Sequence, residues 1–318
     1  MFSFLSGPPI AAVTLNPAVD QTINVPNFAV NQVNRVTATR RDPGGKGVNV
    51  ASILADRGLP VTVTGFLGRE NAAIFEELFR RKAILDRFVR IAGATRTGIK
   101  IIDDVQGTTT DINFPGQTPT SGDVDALLTE TVELATQCDW FVMAGSLPAG
   151  APPALYYDLI TQVRTAGGRI VLDTSGPALA KALPAGPTLV KPNIHEMEAL
   201  CGRTLGNRAA VVDEAQRWRA QYDIQIVVVS LGAEGAVLVA EGAALYARPP
   251  AVTVASTVGA GDAMVSGLVA GLHDGLSLAE SLRQATAFAA GAVTFIGSGL
   301  PAPEALAELT NQVQMEEM

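Results

Sequence analysis

Short apolar runs alternate with helical patterns along most of this chain, and that order restricts the fold more than any other feature. Residues 11–15, 61–66, 140–144, 170–173 and 226–230 read as strands. Residues 48–56, 72–81, 154–166, 211–221 and 278–295 read as helices; in the second, Ile74, Phe75, Leu78 and Phe79 share one side. Strand and helix in repeated order predict an α/β fold, a mostly parallel central sheet with helices on both faces. Ligands of such sheets bind beyond the carboxyl ends of the strands. Polar or glycine-rich segments follow the strand candidates there: Asn16-Pro17, Gly145-Ser146-Leu147-Pro148, Asp173-Thr174-Ser175 and Ser230-Leu231-Gly232. Residues 21–40 and 96–114 break the rhythm, alternating polar and β-branched residues without helices between them. They predict a small separate β-layer whose apolar face needs cover from a substrate, the main body or a second copy. With no repeat, low-complexity tract or linker, residues 1–318 read as one domain, and 314–318 as a frayed tail.

A hydrophobic content of 47% against 17% charged residues predicts a well-packed globular body rather than disorder. The net charge of −8, with no basic cluster, argues against a nucleic-acid partner. An acidic chain that handles anions must place its few cations locally, which directs attention to Arg35, Lys46, Arg96 and Lys191. Cys138 and Cys201 lie in no C-x-x-C pair, so a reducing, cytoplasmic setting is expected. His195 and His273 are too few and too scattered for a zinc site. Residues 1–9 lack the charged and apolar regions of a signal peptide, and no apolar stretch is long enough to span a bilayer, so no membrane partner is expected.

Three clusters carry candidate chemistry. In Ser256-Thr257-Val258-Gly259-Ala260-Gly261-Asp262, small residues let backbone N–H groups approach a ligand, and the apolar run that follows is helical. A helix N-terminus offers unpaired N–H groups and the positive end of a dipole, a place for phosphate. Asp262 would repel that phosphate unless it takes a proton from an attacking hydroxyl. Read alone, the segment is equally a tight turn with an N-capping Asp. In Pro43-Gly44-Gly45-Lys46-Gly47-Val48-Asn49, glycines again open a helix around a lysine suited to a phosphate or polyol. It is neither a Walker A loop, since Arg40 stands where the first glycine would be, nor G-x-G-x-x-G. In Lys191-Pro192-Asn193-Ile194-His195-Glu196, Asn193 and Glu196 share a face at a helix start, as hard oxygen ligands for Mg²⁺ or as a capping box.

Together and in this order, these clusters resemble the ribokinase-like sugar kinases of the PfkB family. Gly44 to Ala51 is similar to that family's N-terminal signature, Ser256 to Gly267 to its C-terminal signature, and Asn193-x-x-Glu196 to its magnesium-associated motif. Thr14-Leu15-Asn16-Pro17-Ala18-Val19-Asp20 resembles the opening of the bacterial phosphosugar branch, and Lys46 is shared with its members that act on fructose 1-phosphate and tagatose 6-phosphate. Residues 64–71, 86–89 and 145–150 resemble the former, whereas Val33-Asn34-Arg35 looks as much like the latter. The resemblance implies phosphoryl transfer from ATP, with Mg²⁺, to a ketohexose phosphate: fructose 1-phosphate, with tagatose 6-phosphate or fructose 6-phosphate as alternatives. It also leaves a non-catalytic sugar- or nucleotide-binding regulator on the same fold. It implies Asp262 as base and the amides around Gly259, Ala260 and Gly261 as an anion hole. Asp20, Gly45, Asn49 and Ser146 would contact the sugar, and Lys46, Arg96 and Arg35 its phosphate. Lys191, Asn193, Ser230, Gly232, Gly235 and Thr257 would contact the nucleotide, with Asn193 and Glu196 at Mg²⁺. Ser256 and Val258 are candidates for a K⁺ site used by some relatives. The strands at 21–40 and 96–114 would form a lid shared in a homodimer.

Overall fold

The computed structural model describes residues 8–295, 297 and 299–318; residues 1–7, read above for leader character, lie outside this set. The chain opens with β1 (Ile10–Thr14), β2 (Ala18–Asn24), β3 (Ala38–Gly44), α1 (Lys46–Asp56), β4 (Val61–Gly68) and α2 (Ala73–Arg81). There follow β5 (Leu85–Asp86), β6 (Val89–Ile91), β7 (Thr97–Asp103), β8 (Thr108–Asn113), α3 (Ser121–Leu134), β9 (Trp140–Ala144) and α4 (Leu155–Thr165). Next are β10 (Arg169–Asp173), α5 (Gly176–Ala182), β11 (Leu189–Val190), α6 (Ile194–Cys201), α7 (Arg208–Tyr222) and β12 (Ile226–Ser230). The chain ends through β13 (Ala236–Ala240), β14 (Ala243–Arg248), α8 (Ala260–His273), α9 (Leu278–Ala292), α10 (Pro303–Gln312) and β15 (Gln314–Glu317).

The main sheet has the order β15-β14-β13-β12-β11-β10-β9-β1-β4-β5, with β6 also on β4. From β12 to β5 every pairing is parallel, whereas β13, β14 and β15 add an antiparallel edge. Each central strand is buried on both faces, which is why it reads as a continuous apolar run. In β1, Ile10 and Ala12 enter one core with Val265 and Leu268 of α8, while Ala11 and Val13 enter the opposite core with Leu159 of α4 and Trp218 of α7. A separate sheet has the order β3-β2-β7-β8. This is the β-layer expected from residues 21–40 and 96–114, although residues 26–37 form a connecting loop rather than strand.

Two expectations fail. Residues 314–318 are not frayed: β15 pairs antiparallel with β14, Arg208 reaches Glu316 at 3.0 Å, and Met315 packs on the core. α9 stops at Ala292 rather than at 295: Thr294 N–H turns back to the Gly291 carbonyl at 3.1 Å, and the Val293 carbonyl, free at the helix end, accepts from Ala255 N–H at 2.7 Å and from Ser256 N–H at 3.2 Å. Those two bonds anchor the Ser256–Asp262 loop to the end of α9.

Candidate active site

The first turn of α8 is the centre of the site. Gly259 caps it with φ 88°, a left-handed conformation that favours glycine, and no side chain caps the helix. Its leading N–H groups therefore lack the side-chain acceptor that most helix starts provide. Asp262 is not the cap. It lies in that first turn, only 6% exposed, and accepts a hydrogen bond from Asn49 Nδ2 of α1 at 2.7 Å. Burial pushes its carboxyl up to about 6 against the pull of the Lys46 ammonium; Asp173 adds to the rise, while Asn49 and Lys191 oppose it.

Two cavities meet at this turn. One, of about 370 Å³, is polar and lies between α8 and the small sheet; Gly259, Gly261 and Asp262 form one wall and Asp20, Arg96 and Lys100 the other. The second, of about 550 Å³, is mostly apolar and is lined by Val252, Val254, Thr257, Ala260, Met264 and Val293. One helical turn thus presents a carboxylate to a polar cavity and small residues to an apolar one.

Most residues singled out by the sequence come together. Asp20, Gly45, Lys46, Asn49 and Arg96 line the polar cavity; Gly232, Gly235 and Thr257 line the apolar one. Asn193 and Ser230 are joined by a parallel bridge. Asn193 and Glu196 also border a groove of about 500 Å³ between α5 and α6. Two residues stand apart. Arg35 is exposed in the loop between β2 and β3 and does not line the polar cavity. Ser146 is exposed and accepts from Asn16 Nδ2 at 3.1 Å. Sequence reading missed Lys100, Asp111 and Asn113, which face the polar cavity from the paired strands β7 and β8. It also missed the role of Asp173, whose buried carboxylate receives both Lys46 and Lys191.

Asp20 belongs to β2 and lines the polar cavity from the small sheet. Burial raises its pKa, with Lys100 and Arg96 opposing. Its carboxylate fills the space where a Cβ on Gly44 would stand, and a Cβ on Gly98 would come within 2.9 Å of it. Gly44→Ala is therefore expected to swing Asp20 away while costing little stability, since the obstacle is a side-chain end. If Asp20 contacts a sugar, as the family resemblance implies, steady-state kinetics should show KM for that sugar raised about tenfold with Tm nearly unchanged, the low end of the scale for one lost hydrogen bond to a charged group.

Asn193 and Glu196 form a reciprocal capping box: Glu196 N–H donates to Asn193 Oδ1 at 2.9 Å and Asn193 N–H to Glu196 Oε2 at 2.8 Å. Among the described residues no three His, Cys, Asp or Glu side chains gather as a metal cage. This donor set fits Mg²⁺, which binds through one or two carboxylates plus phosphates and keeps several waters. Among the described residues, no helix is long and apolar enough to cross a membrane.

Comparison with known proteins agrees with this geometry. Residues 13–305 match the model of the pfkB family carbohydrate kinases. The chain is 51% identical over 308 residues to a 1-phosphofructokinase of Rhodobacter capsulatus, covering 96% of this chain and 97% of that one. Its fold matches Escherichia coli phosphofructokinase-2 in complex with potassium, with a TM-score of 0.90, 29% identity and coverage of 96% and 98%. The tetrameric inhibited form of that enzyme gives a TM-score of 0.88 at 29% identity, with the same coverage. With its signatures gathered on one α/β body and a smaller separate sheet, the chain belongs to the pfkB family of carbohydrate kinases and has the ribokinase-like fold.

Proposed function

We propose that the protein transfers the γ-phosphoryl group of ATP to the free primary hydroxyl of fructose 1-phosphate, giving fructose 1,6-bisphosphate and ADP. The observation that carries this reading is the meeting of the two cavities at the first turn of α8, with Asp262 on the polar side. The apolar cavity suits a flat purine and the polar one a sugar phosphate. The 51% identity to a 1-phosphofructokinase supports the choice of sugar.

In this reading Asp262 receives the proton of the accepting hydroxyl. The N–H groups of Gly259, Ala260 and Gly261 stabilise charge on the phosphoryl group in flight, the largest source of rate in such sites. Asp20, Asn49 and the backbone at Gly45 orient the sugar. Arg96 holds the substrate's own phosphate, with Lys100 beside it and Arg35 within reach only if its loop folds inward. Ser146, which does not line the polar cavity, stands aside from the sugar in this reading. Ser230, Gly232, Gly235 and Thr257 line the nucleotide, and Lys191 approaches its phosphates. Glu196, with Asn193 and water, would hold Mg²⁺, whose chemistry is to neutralise the β- and γ-phosphate oxygens.

Three further proposals accompany this one. Ser256 and Val258 offer oxygens for K⁺, supported by the potassium complex of the E. coli neighbour. The small sheet acts as a lid shared between two copies, supported by exposed Ile112 and Phe114 at its β8 edge. A cytoplasmic location is supported by two unpaired cysteines, Cys138 and Cys201.

A coupled ADP-release assay with ATP and Mg²⁺ tests the activity. Fructose 1-phosphate is expected to exceed fructose 6-phosphate and tagatose 6-phosphate in kcat/KM by at least about tenfold, the net worth of one good hydrogen bond. Preference for a 6-phosphate would keep the chemistry and change the substrate. Absence of turnover with all three would favour a binding regulator.

A further inference from the structure

Lys46, Asp173 and Lys191 form a charge cluster drawn from the first residue of α1, the end of β10 and the residue after β11. Lys46 Nζ is 3.2 Å from both Asp173 oxygens, and Lys191 Nζ is 3.4 Å from Oδ1. The Asp173 side chain is 1% exposed and that of Lys191 4%, whereas Lys46 is 40% exposed and opens into the polar cavity. Lys191 Nζ would lie 3.7 Å from a Cβ on Gly261, so its ammonium stands against the first turn of α8. The two ammoniums therefore share one carboxylate beside that turn, Lys46 open to the acceptor's cavity and Lys191 buried against Gly261.

Asp173 lines neither cavity. Burial alone would raise its pKa, but Lys191 and Lys46 overcome that and hold it below the ordinary value, as a fixed anion. A buried carboxylate between two ammoniums is a poor way to stabilise a core, because well-packed apolar residues do so at least as well. What it does supply is position. One negative charge between two positive ones leaves a net positive cluster, balanced in the free protein by Asp262. Lys46 faces Asp173, Asp262 and Glu196, all at the reacting end. Arg96 and Lys100 stand opposite, on the side of the small sheet.

We propose that Asp173 is a positioning residue for phosphoryl transfer, holding the Lys46 and Lys191 ammoniums together beside the first turn of α8, where the migrating group meets their charge. The proposal rests on the kinase reading above. In the step, a lone pair of the sugar hydroxyl oxygen forms the new P–O bond. The bond from the γ-phosphorus to the bridging oxygen breaks, and its electron pair stays on ADP. The hydroxyl proton goes to Asp262. Lys46 thus acts on the group in flight rather than on the substrate's own phosphate, the role first expected of it.

The test compares wild type with Asp173→Asn and Lys46→Met, using ATP, Mg²⁺ and the ketohexose phosphate that wild type prefers, with thermal melting alongside. Both variants should lose kcat by roughly 10²-fold, the scale of removing a preorganised charge from a transition state, with KM for the sugar phosphate within about threefold. Should Asp173→Asn fail to fold, Lys46→Met still puts the proposal at risk: it leaves the Asp173–Lys191 pair intact, and a normal kcat would mean that Asp173 holds a lysine the step does not use. A Lys46→Met enzyme with normal kcat and a sugar KM raised about tenfold would return Lys46 to the substrate's phosphate and overturn the proposal. So would a folded Asp173→Asn enzyme with normal kcat. Wild type silent on every ketohexose phosphate would instead sink the kinase reading, and this inference with it.

Discussion

Asp262→Asn is expected to lose kcat by roughly 10²–10⁴-fold, the contribution of a general base, while folding as well as wild type. The two halves of this expectation have the same origin. Asp262 is buried beside Asn49, and desolvation holds its pKa near 6. The folded protein therefore keeps a proton, between the ordinary carboxylate value of 3.8 and about 6, that the unfolded chain has already released. Stability falls as pH rises through that window, and above it the whole cost of the buried charge is present. A shift of this size corresponds to roughly 2–3 kcal/mol, a net figure that already includes the attraction of Lys46. The asparagine side chain keeps the shape of the carboxylate and can still bond Asn49. Melting at pH 7.5 should therefore give a Tm equal to or above that of wild type, and a single-turnover assay should show the chemical step, not substrate binding, as the loss. A variant that melts well below wild type would attribute the lost rate to unfolding. One that turns over near the wild-type rate would remove Asp262 from the role of base.

The parts of the site that were legible in the sequence are those fixed by local spacing. Glycines before a helix announce an opening turn, and both Gly44–Gly47 and Gly259–Gly261 sit at such openings. The central strands were legible because burial on both faces makes them unbroken apolar runs; β9 and β12 begin and end where their sequences predict. Helix α3 was not among the helices read from the sequence, although Thr120 caps it and Val124, Leu127, Thr131 and Leu134 follow at helical spacing. The pair Asn193 and Glu196 shows a different limit. Capping and metal binding call for the same residues at the same spacing, and only the observed reciprocal bonds show that the cap is formed. The Lys46–Asp173 contact was beyond reach for a third reason. It joins residues 127 positions apart, and no period links a helix start to a strand end. Arg35 failed to join the cavity because it lies in the long loop between β2 and β3, whose path no local pattern determines.

The pH dependence of kcat/KM follows from the same buried carboxylate and gives the second large effect. The free enzyme needs Asp262 ionised, so kcat/KM should be level above about pH 7 and fall below about pH 6 with a slope approaching tenfold per unit. A phosphomonoester also titrates near pH 6, so the limb by itself does not identify the group. The surroundings of Asp262 separate the two. Lys46, Lys191 and the Asn49 amide favour its charged form, and Asp173 disfavours it. Of these, Lys46 acts most strongly, so Lys46→Met should move the limb to higher pH, leaving Asp262 protonated in a range where wild type is fully active. The titration of the sugar phosphate in solution is blind to that substitution. A limb that stays in place in Lys46→Met would assign it to the substrate. One that moves upward would assign it to Asp262 and tie the acid limit of the enzyme to the burial that α8 imposes on its own first turn.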